Sequence, residues 1–224
     1  MNLLHLQNIK LVIFDFDGTI ADTSEGIIDA HKYTLKEMGK SIPSDDELRS
    51  IIGGNLLKTY IEKFGFEEPI ARKAVSIYRK RYANIGIHKA ELYPGFSDML
   101  TALKERGYKT GVATLKAEVF AKTMLNEMGI LDCFDEVCGM DPNDGLDKAG
   151  LILKCLNLCG SPIKQTVLIG DSNNDLSGAQ KAGVHFIGVT YGFGFVPEYN
   201  YEFITADCPK NILTLLPNIP AHKT

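Results

Sequence analysis

The chain has 224 residues, of which 45% are hydrophobic and 23% are charged, and its formal net charge is -4. This length and composition are typical of a globular protein with a sizeable core, and they exclude a small disulfide-stapled scaffold and a disordered chain. The acidic balance, without a long Lys/Arg run, argues against a nucleic-acid partner. No apolar stretch reaches the roughly 20 residues of a membrane span, and residues 1–9 lack the features of a secretion signal. We therefore expect a cytoplasmic protein with reduced cysteines and no membrane partner.

A short apolar run near the start of the chain ends in two carboxylates. Leu11–Phe14 predicts a fully buried strand, and Asp15 and Asp17 follow it directly, with Gly18 and Thr19 behind them. Like charges this close repel each other and resist burial, which lowers stability unless a cation or a bound ligand compensates for them. This segment therefore predicts a ligand site at the end of the first strand.

Helical periodicity dominates about seventy residues after this strand. The motif Ser44-x-x-Glu47 is typical of a helix start, the pair Gly53-Gly54 interrupts the pattern, and a turn signal at 92–95 closes it. We expect residues 22–91 to form an all-helical cap, with hinges at 21–23 and 93–95.

From residue 92 onward the pattern alternates between helices and strands. Alternation of this kind predicts a parallel sheet with helices on both faces. The expected fold class is α/β, with a three-layer, doubly wound, Rossmann-like core formed by residues 1–21 and 92–224. Residues 191–195 are expected to form a loop, because Pro197 opposes the helix that a nucleotide-binding fingerprint would need. The predicted strands lie at 110–114, 136–138, 166–169, 186–189 and near 203–204.

A second acid pair follows a later strand. In a parallel sheet, ligands bind in the crevice outside the carboxyl ends of the strands. Asp171 and Asp175 come after the strand at 166–169, so we expect them to lie close to Asp15 and Asp17. A cluster of hard oxygen ligands without His or Cys suits Mg²⁺. The sequence therefore predicts a magnesium site formed by two acid motifs.

Two further polar residues are expected to accompany this site. A magnesium ion held by carboxylates usually serves a phosphate, and a phosphate needs further cationic and hydroxyl partners. Lys148 begins a predicted helix, and Thr114 is expected to end a strand. Each alone is more typical of a surface lysine or a turn residue, but their order relative to the acid motifs favours a functional role.

Taken together, these segments resemble the four ordered motifs of the haloacid dehalogenase superfamily of phosphohydrolases. The resemblance covers residues 10–192, and the helical insert resembles the cap of the branch with phosphoglycolate-phosphatase-like and 5'-nucleotidase-like members. It implies Mg²⁺-dependent hydrolysis of a small phosphomonoester, with phosphoglycolate and nucleoside 5'-monophosphates as the leading substrates. The motifs are Asp15-x-Asp17-Gly18-Thr19, Thr114 in VATLK, Lys148 in LDKAG, and Gly170-Asp171-x-x-x-Asp175.

The resemblance also implies a role for each motif residue. Asp15 is the expected nucleophile, which forms an aspartyl-phosphate, and Asp17 is the expected general acid and then general base. Mg²⁺ is expected to bind Asp15, Asp171 and the backbone carbonyl of Asp17, with Asp175 supporting it directly or through water. Phosphoryl oxygens are expected to contact Thr114, Lys148 and the backbone N–H groups around Gly18 and Thr19. The candidate specificity loop of the cap is Gly53, Gly54 and Asn55.

Other functions stay open at this point. A sugar-phosphate mutase of the same superfamily would keep Asp17 and is the main alternative. A phospho-receiver is disfavoured by the chain length and the helical insert, and a binding protein without turnover is disfavoured because all four motif positions are occupied. The expected partner is a small phosphorylated metabolite, and the oligomeric state, monomer or dimer, is left open.

Overall fold

A computed structural model describes residues 6–141 and 145–219. Within these ranges, six parallel strands form one sheet in the order β5-β4-β1-β6-β7-β8. None of the described helices combines the length and apolar character that a bilayer crossing requires. The strands are β1 (Leu11–Phe14), β4 (Lys109–Ala117), β5 (Glu136–Met140), β6 (Thr166–Gly170), β7 (His185–Val189) and β8 (Ile204–Ala206).

Helices cover both faces of this sheet. In β1, Val12 and Phe14 pack into one hydrophobic cluster, whereas Leu11 and Ile13 pack into a second one. Alternate side chains of a strand point to opposite faces, so a central strand with two covered faces is apolar throughout. The predicted three-layer architecture is confirmed. The first cluster includes residues of α5 (Phe96–Glu105), α6 (Glu118–Glu127) and α9 (Pro209–Leu215), and the second includes residues of α7 (Lys148–Leu158) and α8 (Asn173–Ala182).

The strand order explains where a ligand can bind. From β1, strands β4 and β5 lie to one side and strands β6 to β8 lie to the other. In doubly wound sheets, the crevice for ligands lies at the carboxyl ends of the strands where the order reverses. Asp15 directly follows β1, and Asp171 directly follows β6, which pairs with β1. The topology therefore brings the two acid motifs side by side.

The helical insert contains four α-helices and a final 3-10 turn at Gly86–Lys89. Two short strands flank it and pair in antiparallel fashion, which places the two chain crossings next to each other. The predicted capping box of Ser44 and Glu47 forms at one helix start. The boundaries 1–21, 22–91 and 92–224 stay predictions. The elements are β2 (Ala21–Asp22), α1 (Ser24–Glu37), α2 (Asp45–Arg49), α3 (Leu56–Glu62), α4 (Glu68–Asn84) and β3 (Glu91–Leu92).

A buried histidine lies at the centre of this helical cap. The ring of His31 lies within 6.0 Å of the rings of Tyr60, Phe64 and Tyr78, and its Nδ1 lies 3.2 Å from the hydroxyl of Tyr60. Burial lowers the pKa of His31 to about 3, because the charged imidazolium is poorly solvated among aromatic rings. His31 therefore stays neutral at neutral pH and serves the packing of the cap.

Strand β4 is longer than the sequence predicted. We expected it to end at Thr114, but it continues to Ala117, with a register shift against β5 between Ala113 and Ala117. The predicted end was wrong because the strand continues through Leu115, Lys116 and Ala117, and Lys116, a residue type that usually lies on the surface, is buried in it. Residues two apart on a strand share a face, and both Thr114 and Lys116 are buried.

Candidate active site

Three carboxylates from the two acid motifs meet at the carboxyl ends of β1 and β6. Asp15, Asp171 and Asp175 each offer one oxygen, and these oxygens lie within 4.8 Å of one another. All three residues are buried. Hard oxygen donors at this spacing fit a divalent cation such as Mg²⁺. The carboxylate of Asp17 lies outside this group, and its expected metal contact through the backbone carbonyl stays a prediction.

The electrostatics of this acid group also favour a cation. Burial, together with the nearby charges of Asp175 and Asp17, raises the pKa of Asp15 to about 7 against the lowering effect of Lys148. Burial and the same crowding of carboxylates hold the pKa of Asp171 well above its usual range. Such shifts mean that the negative charges lack compensation. A bound divalent ion would supply the missing positive charge, so the residues present fit a metal ion.

Lys148 lies between two members of the acid group. Its Nζ is 2.5 Å from Asp15 Oδ1 and 2.7 Å from Asp175 Oδ1. Burial lowers its pKa, but the two carboxylates outweigh burial and raise the pKa of Lys148 above its ordinary value, so it is charged. Asp147 accepts a hydrogen bond from the Gly150 N–H at 2.9 Å and thereby fixes the start of α7. This helix start places the lysine at the site.

Asp175, the second acid of the second motif, is also oriented by the start of a helix. Ser172 is the N-cap of α8, and its hydroxyl and its N–H donate to Asp175 Oδ2 at 2.6 Å and 3.0 Å. The other oxygen, Oδ1, contacts Lys148. Both oxygens therefore have fixed directions. Whether Asp175 contacts a metal directly or through water stays a prediction.

Asp17 has partners of its own. Its Oδ1 lies 2.8 Å from Lys116 Nζ and accepts a hydrogen bond from the Thr23 hydroxyl at 2.7 Å. Lys116 in turn donates to the hydroxyl of Tyr82 in α4 at 2.9 Å. The sequence did not predict Lys116, because an isolated lysine usually lies on the surface. The signal that could have found it is its position two residues beyond Thr114 on the same strand.

A small cavity lies between the cap and the core, directly at Asp15 and Asp17. Its volume is about 70 Å³. Thr114, buried on β4 as part of the core wall, has its hydroxyl within 3.2 Å of the Lys116 N–H. The cap contacts the core here, since the side chain of Asn174 donates to the Gly53 carbonyl at 3.2 Å. The predicted specificity residues Gly53, Gly54 and Asn55 line the cavity.

This geometry agrees with a known family. A family model described as haloacid dehalogenase-like hydrolase matches residues 12–189. The chain belongs to the haloacid dehalogenase-like hydrolase family. The match includes β1 from Val12 onward, all four motifs and the inserted helices.

Similar proteins of this family carry phosphatase names. A 5'-nucleotidase of Pseudomonas aeruginosa is 35% identical over 199 residues, which covers 88% of this chain and 90% of that protein. A phosphoglycolate phosphatase of Nitrosospira multiformis is 32% identical, and the aligned region covers 83% of this chain and 85% of that protein. A crystal structure of a predicted phosphatase from Clostridium acetobutylicum superimposes with a TM-score of 0.86 at 30% identity, over 92% of this chain and 99% of that one. The expected enzyme class, a hydrolase of phosphoric monoesters, agrees with these names.

In this hydrolase, the Gly-rich loop at 191–195 holds Asp171, a carboxylate of the acid group that fits a metal ion. The loop was expected from the sequence, and no helix follows it directly. The N–H of Phe193 donates to Asp171 Oδ2 at 2.6 Å. A Cβ on Gly192 would lie 2.5 Å from Asp171 Cβ, so only glycine leaves room for this approach. The loop therefore holds the carboxylate of Asp171 in place.

The turn after β1 differs from the expected phosphate contact in one respect. The N–H of Gly18 donates to the Ala21 carbonyl at 3.0 Å, and the N–H of Thr19 donates to the Phe16 carbonyl at 3.2 Å. These two amides therefore have partners within the turn, which closes on itself. The Thr19 hydroxyl is buried and has no hydrogen-bond partner in the part of the chain that the structure describes. A bound ligand or a water molecule would supply the hydrogen bond that this hydroxyl lacks.

Gly18 provides a test of how tightly this hydrolase site is packed. Its φ is +80°, and an added Cβ would collide with Asp171 Oδ2 and with the ring of Phe193. We expect Gly18→Ala to lower the free energy of unfolding by about 1–3 kcal/mol through backbone strain and to weaken Mg²⁺ binding by displacing Asp171. Urea denaturation and magnesium titration followed by calorimetry would measure both effects.

Gly183→Ala is the matched control for this substitution. Gly183 has a φ of +74°, but an added Cβ would meet only Ile163 at an ordinary 3.6 Å. We expect this variant to lose stability through strain alone and to keep its Mg²⁺ affinity. Equal magnesium affinities for the two variants would contradict the role of Gly18 in placing Asp171.

Proposed function

We propose that the chain is a Mg²⁺-dependent phosphatase that hydrolyses a small phosphomonoester through an aspartyl-phosphate on Asp15. The observation that carries this proposal is the separation of the two acids of the first motif. Asp15 belongs to the group of three carboxylates that fits a metal ion, whereas the carboxylate of Asp17 lies outside this group and pairs with Lys116. Two carboxylates in such different surroundings can perform two different tasks, nucleophilic attack and proton transfer.

The proposed reaction has two steps, each carried by residues of this chain. The Asp15 carboxylate attacks phosphorus and forms an acyl phosphate while the ester P–O bond breaks, and Asp17 gives its proton to the leaving oxygen. Water then attacks the acyl phosphate, and Asp17 takes a proton from this water. Inorganic phosphate leaves, and both aspartates return to their starting states.

Positive charge and hydroxyl groups stabilise the transferred phosphoryl group in this proposal. Lys148 and Thr114 are buried beside Asp15 or along the same cavity, where they can bind phosphoryl oxygens. Asp15, Asp171 and Asp175 would hold a Mg²⁺ ion, which would neutralise charge between the nucleophile and the anionic phosphate. Phosphoryl transfer depends mainly on such positioning and electrostatic stabilisation.

The cavity favours a small leaving group. The cavity directly at Asp15 and Asp17, at about 70 Å³, is far below the roughly 300–1,000 Å³ of pockets that enclose drug-sized ligands. A wider pocket of about 590 Å³ shares Gly54, Asn55 and Leu115 with it and extends along Lys148. Arg79 lines the cavity, and a guanidinium at this place would favour a leaving group that carries a carboxylate. Phosphoglycolate could lie within the small cavity, whereas a nucleoside 5'-monophosphate would have to place its nucleoside in the wider pocket, so of the two leading substrates we expect phosphoglycolate to be preferred. A small phosphorylated metabolite and a cytoplasmic location belong to the same proposal.

A substrate panel tests the proposal. Phosphate release is measured from phosphoglycolate, nucleoside 5'-monophosphates, sugar phosphates and 4-nitrophenyl phosphate, with Mg²⁺ or with chelator. We expect magnesium-dependent release, with kcat/KM highest for phosphoglycolate. Isomerisation of a sugar phosphate without net phosphate release would instead favour the mutase alternative, and release that is unaffected by chelator would contradict the metal requirement.

A further inference from the structure

We propose that Lys116 is a positioning residue for Asp17, and that its contact with Tyr82 makes this positioning depend on the cap lying against the core. The inference rests on the proposed function, in which Asp17 is the general acid. It concerns Lys116 and Tyr82, to which the sequence motifs assigned no role. Three observations support it: the burial of Lys116, the oxygen of Asp17 that it contacts, and the origin of its second partner in the cap.

Lys116 is a buried cation in aromatic surroundings. Its side chain is 5% exposed, and its Nζ lies 5.5 Å and 4.5 Å from the ring centroids of Phe16 and Tyr82. A buried lysine needs an anionic partner, because an unpaired charge in such a place is strongly unfavourable. Asp17, at 2.8 Å, is this partner. The ion pair therefore restrains the carboxylate as well as the lysine.

Both of the side-chain contacts of Asp17 described above go to the same oxygen. Lys116 Nζ and the Thr23 hydroxyl both approach Oδ1. Held at Oδ1 from two directions, the carboxylate has one orientation, and Oδ2 is left to carry the transferred proton. In the first step this proton moves from Oδ2 to the leaving oxygen as the P–O bond breaks, while Lys116 keeps all of its protons.

The second partner of Lys116 comes from the cap. Tyr82 lies on α4, whereas Lys116 lies on β4 of the core, and the lysine donates to the tyrosine hydroxyl at 2.9 Å. This hydrogen bond forms only when cap and core are in contact. Closure of a cap commonly completes an active site and excludes water. Here the cap contact fixes Lys116, and Lys116 fixes the general acid, so proton donation is favoured once the substrate is enclosed.

The need for a general acid depends on the leaving group, which gives a specific test. Phenyl phosphate and 4-nitrophenyl phosphate have similar shapes. Phenolate is the more basic of their two leaving groups, because the pKa of phenol is close to the value of about 10 for tyrosine. In Lys116→Met we expect kcat/KM to fall roughly 10- to 100-fold for phenyl phosphate, a part of the 10²–10⁴ that general acids provide. We expect less than about a threefold loss for 4-nitrophenyl phosphate, because its leaving group departs without a proton.

Two variants accompany this measurement. Lys122→Met makes the same change at an exposed lysine of α6 that pairs with Glu118, and we expect both esters to react as in the parent. Tyr82→Phe removes only the hydroxyl, and we expect it to show the same selective loss as Lys116→Met to a smaller extent. Equal losses for the two esters in Lys116→Met would overturn the inference, because a general disturbance of the site affects both alike.

A crystal structure of Lys116→Met gives a readout that does not depend on turnover. We expect the Asp17 carboxylate to leave the orientation that it has in the parent, and an unchanged orientation would overturn the inference. If the parent releases no phosphate from any ester, the proposed function fails, while this structure still decides whether Lys116 positions Asp17.

Discussion

Replacing Asp15 by asparagine is expected to reduce phosphate release by at least about 10³-fold, the scale of loss seen when a catalytic nucleophile is removed. The amide has the size of the carboxylate but does not form an acyl phosphate. Asp15 also contributes to the acid group and contacts Lys148, so the loss includes weaker metal binding. Steady-state assays at saturating Mg²⁺, with phosphoglycolate as substrate, measure the effect on turnover.

Trapping the intermediate separates the nucleophile from a merely structural carboxylate. Acid quenching during turnover, followed by mass spectrometry of peptides, should find one phosphoryl group on the parent peptide that contains Asp15 and none on the variant. Asp98→Asn, the same change at an exposed aspartate in the first turn of α5, is expected to react like the parent. Full activity of Asp15→Asn, or a phosphoryl group trapped on another residue, would contradict the assignment.

Magnesium is expected to stabilise the folded chain strongly, because it compensates three buried carboxylates. A ligand that binds only the folded state at 100 times its Kd adds about 2.7 kcal/mol to the free energy of unfolding. For a chain of this size that corresponds to a rise in Tm of roughly 5 to 10 °C. Differential scanning calorimetry with and without Mg²⁺ measures this shift.

The pH dependence of this stabilisation follows from the raised pKa of Asp15. In the folded, metal-free chain this pKa is about 7, against an ordinary value of 3.8. Between these values the folded state binds more protons than the unfolded state, so the free energy of unfolding falls as pH rises through 7. At about 1.4 kcal/mol per pKa unit, the fall attributable to Asp15 is on the order of 4 kcal/mol. The raised pKa of Asp171 acts in the same direction.

Bound magnesium is expected to offset this fall in the free energy of unfolding as pH rises. At pH 8 the ion meets Asp15 already deprotonated, whereas at pH 5 it must displace the proton of Asp15. Its affinity is therefore expected to be about 100-fold weaker at pH 5, tenfold for each pH unit below 7. Calorimetry at both pH values, with chelator or Mg²⁺, tests this, and Asp15→Asn should lose most of the pH dependence. A magnesium shift that is equal at pH 5 and pH 8 would contradict the raised pKa.

Much of the core was predictable because its signals are local. The segment Leu11–Phe14 is apolar at every position because both faces of β1 are covered, and it forms a strand with the predicted ends. Lys148, which was expected to begin a helix, is the first residue of α7. The juxtaposition of the two acid motifs was also predictable, because parallel strands bring their carboxyl ends to one edge.

The features that the sequence did not predict depend on long-range contacts. Strands β2 and β3 have two residues each, which is too short to leave a periodic pattern. Lys116 is paired with Asp17 and Tyr82, which precede it by 99 and 34 residues along the chain. The amides of Gly18 and Thr19 find partners inside their own turn. Such contacts arise from the fold and are not visible in spacing or composition.

The origin of the residues around the cavity suggests how a chimaera of this hydrolase should be built. The clustered carboxylates, Lys148 and Lys116 all belong to the α/β core, whereas Gly53, Gly54 and Asn55 belong to the cap. A cap transplanted from a relative would bring its own substrate preference, while the catalytic residues of the core would stay unchanged. It would also need a hydrogen-bond acceptor at the place of Tyr82, because a transplant without one would bind its substrate well and turn it over slowly.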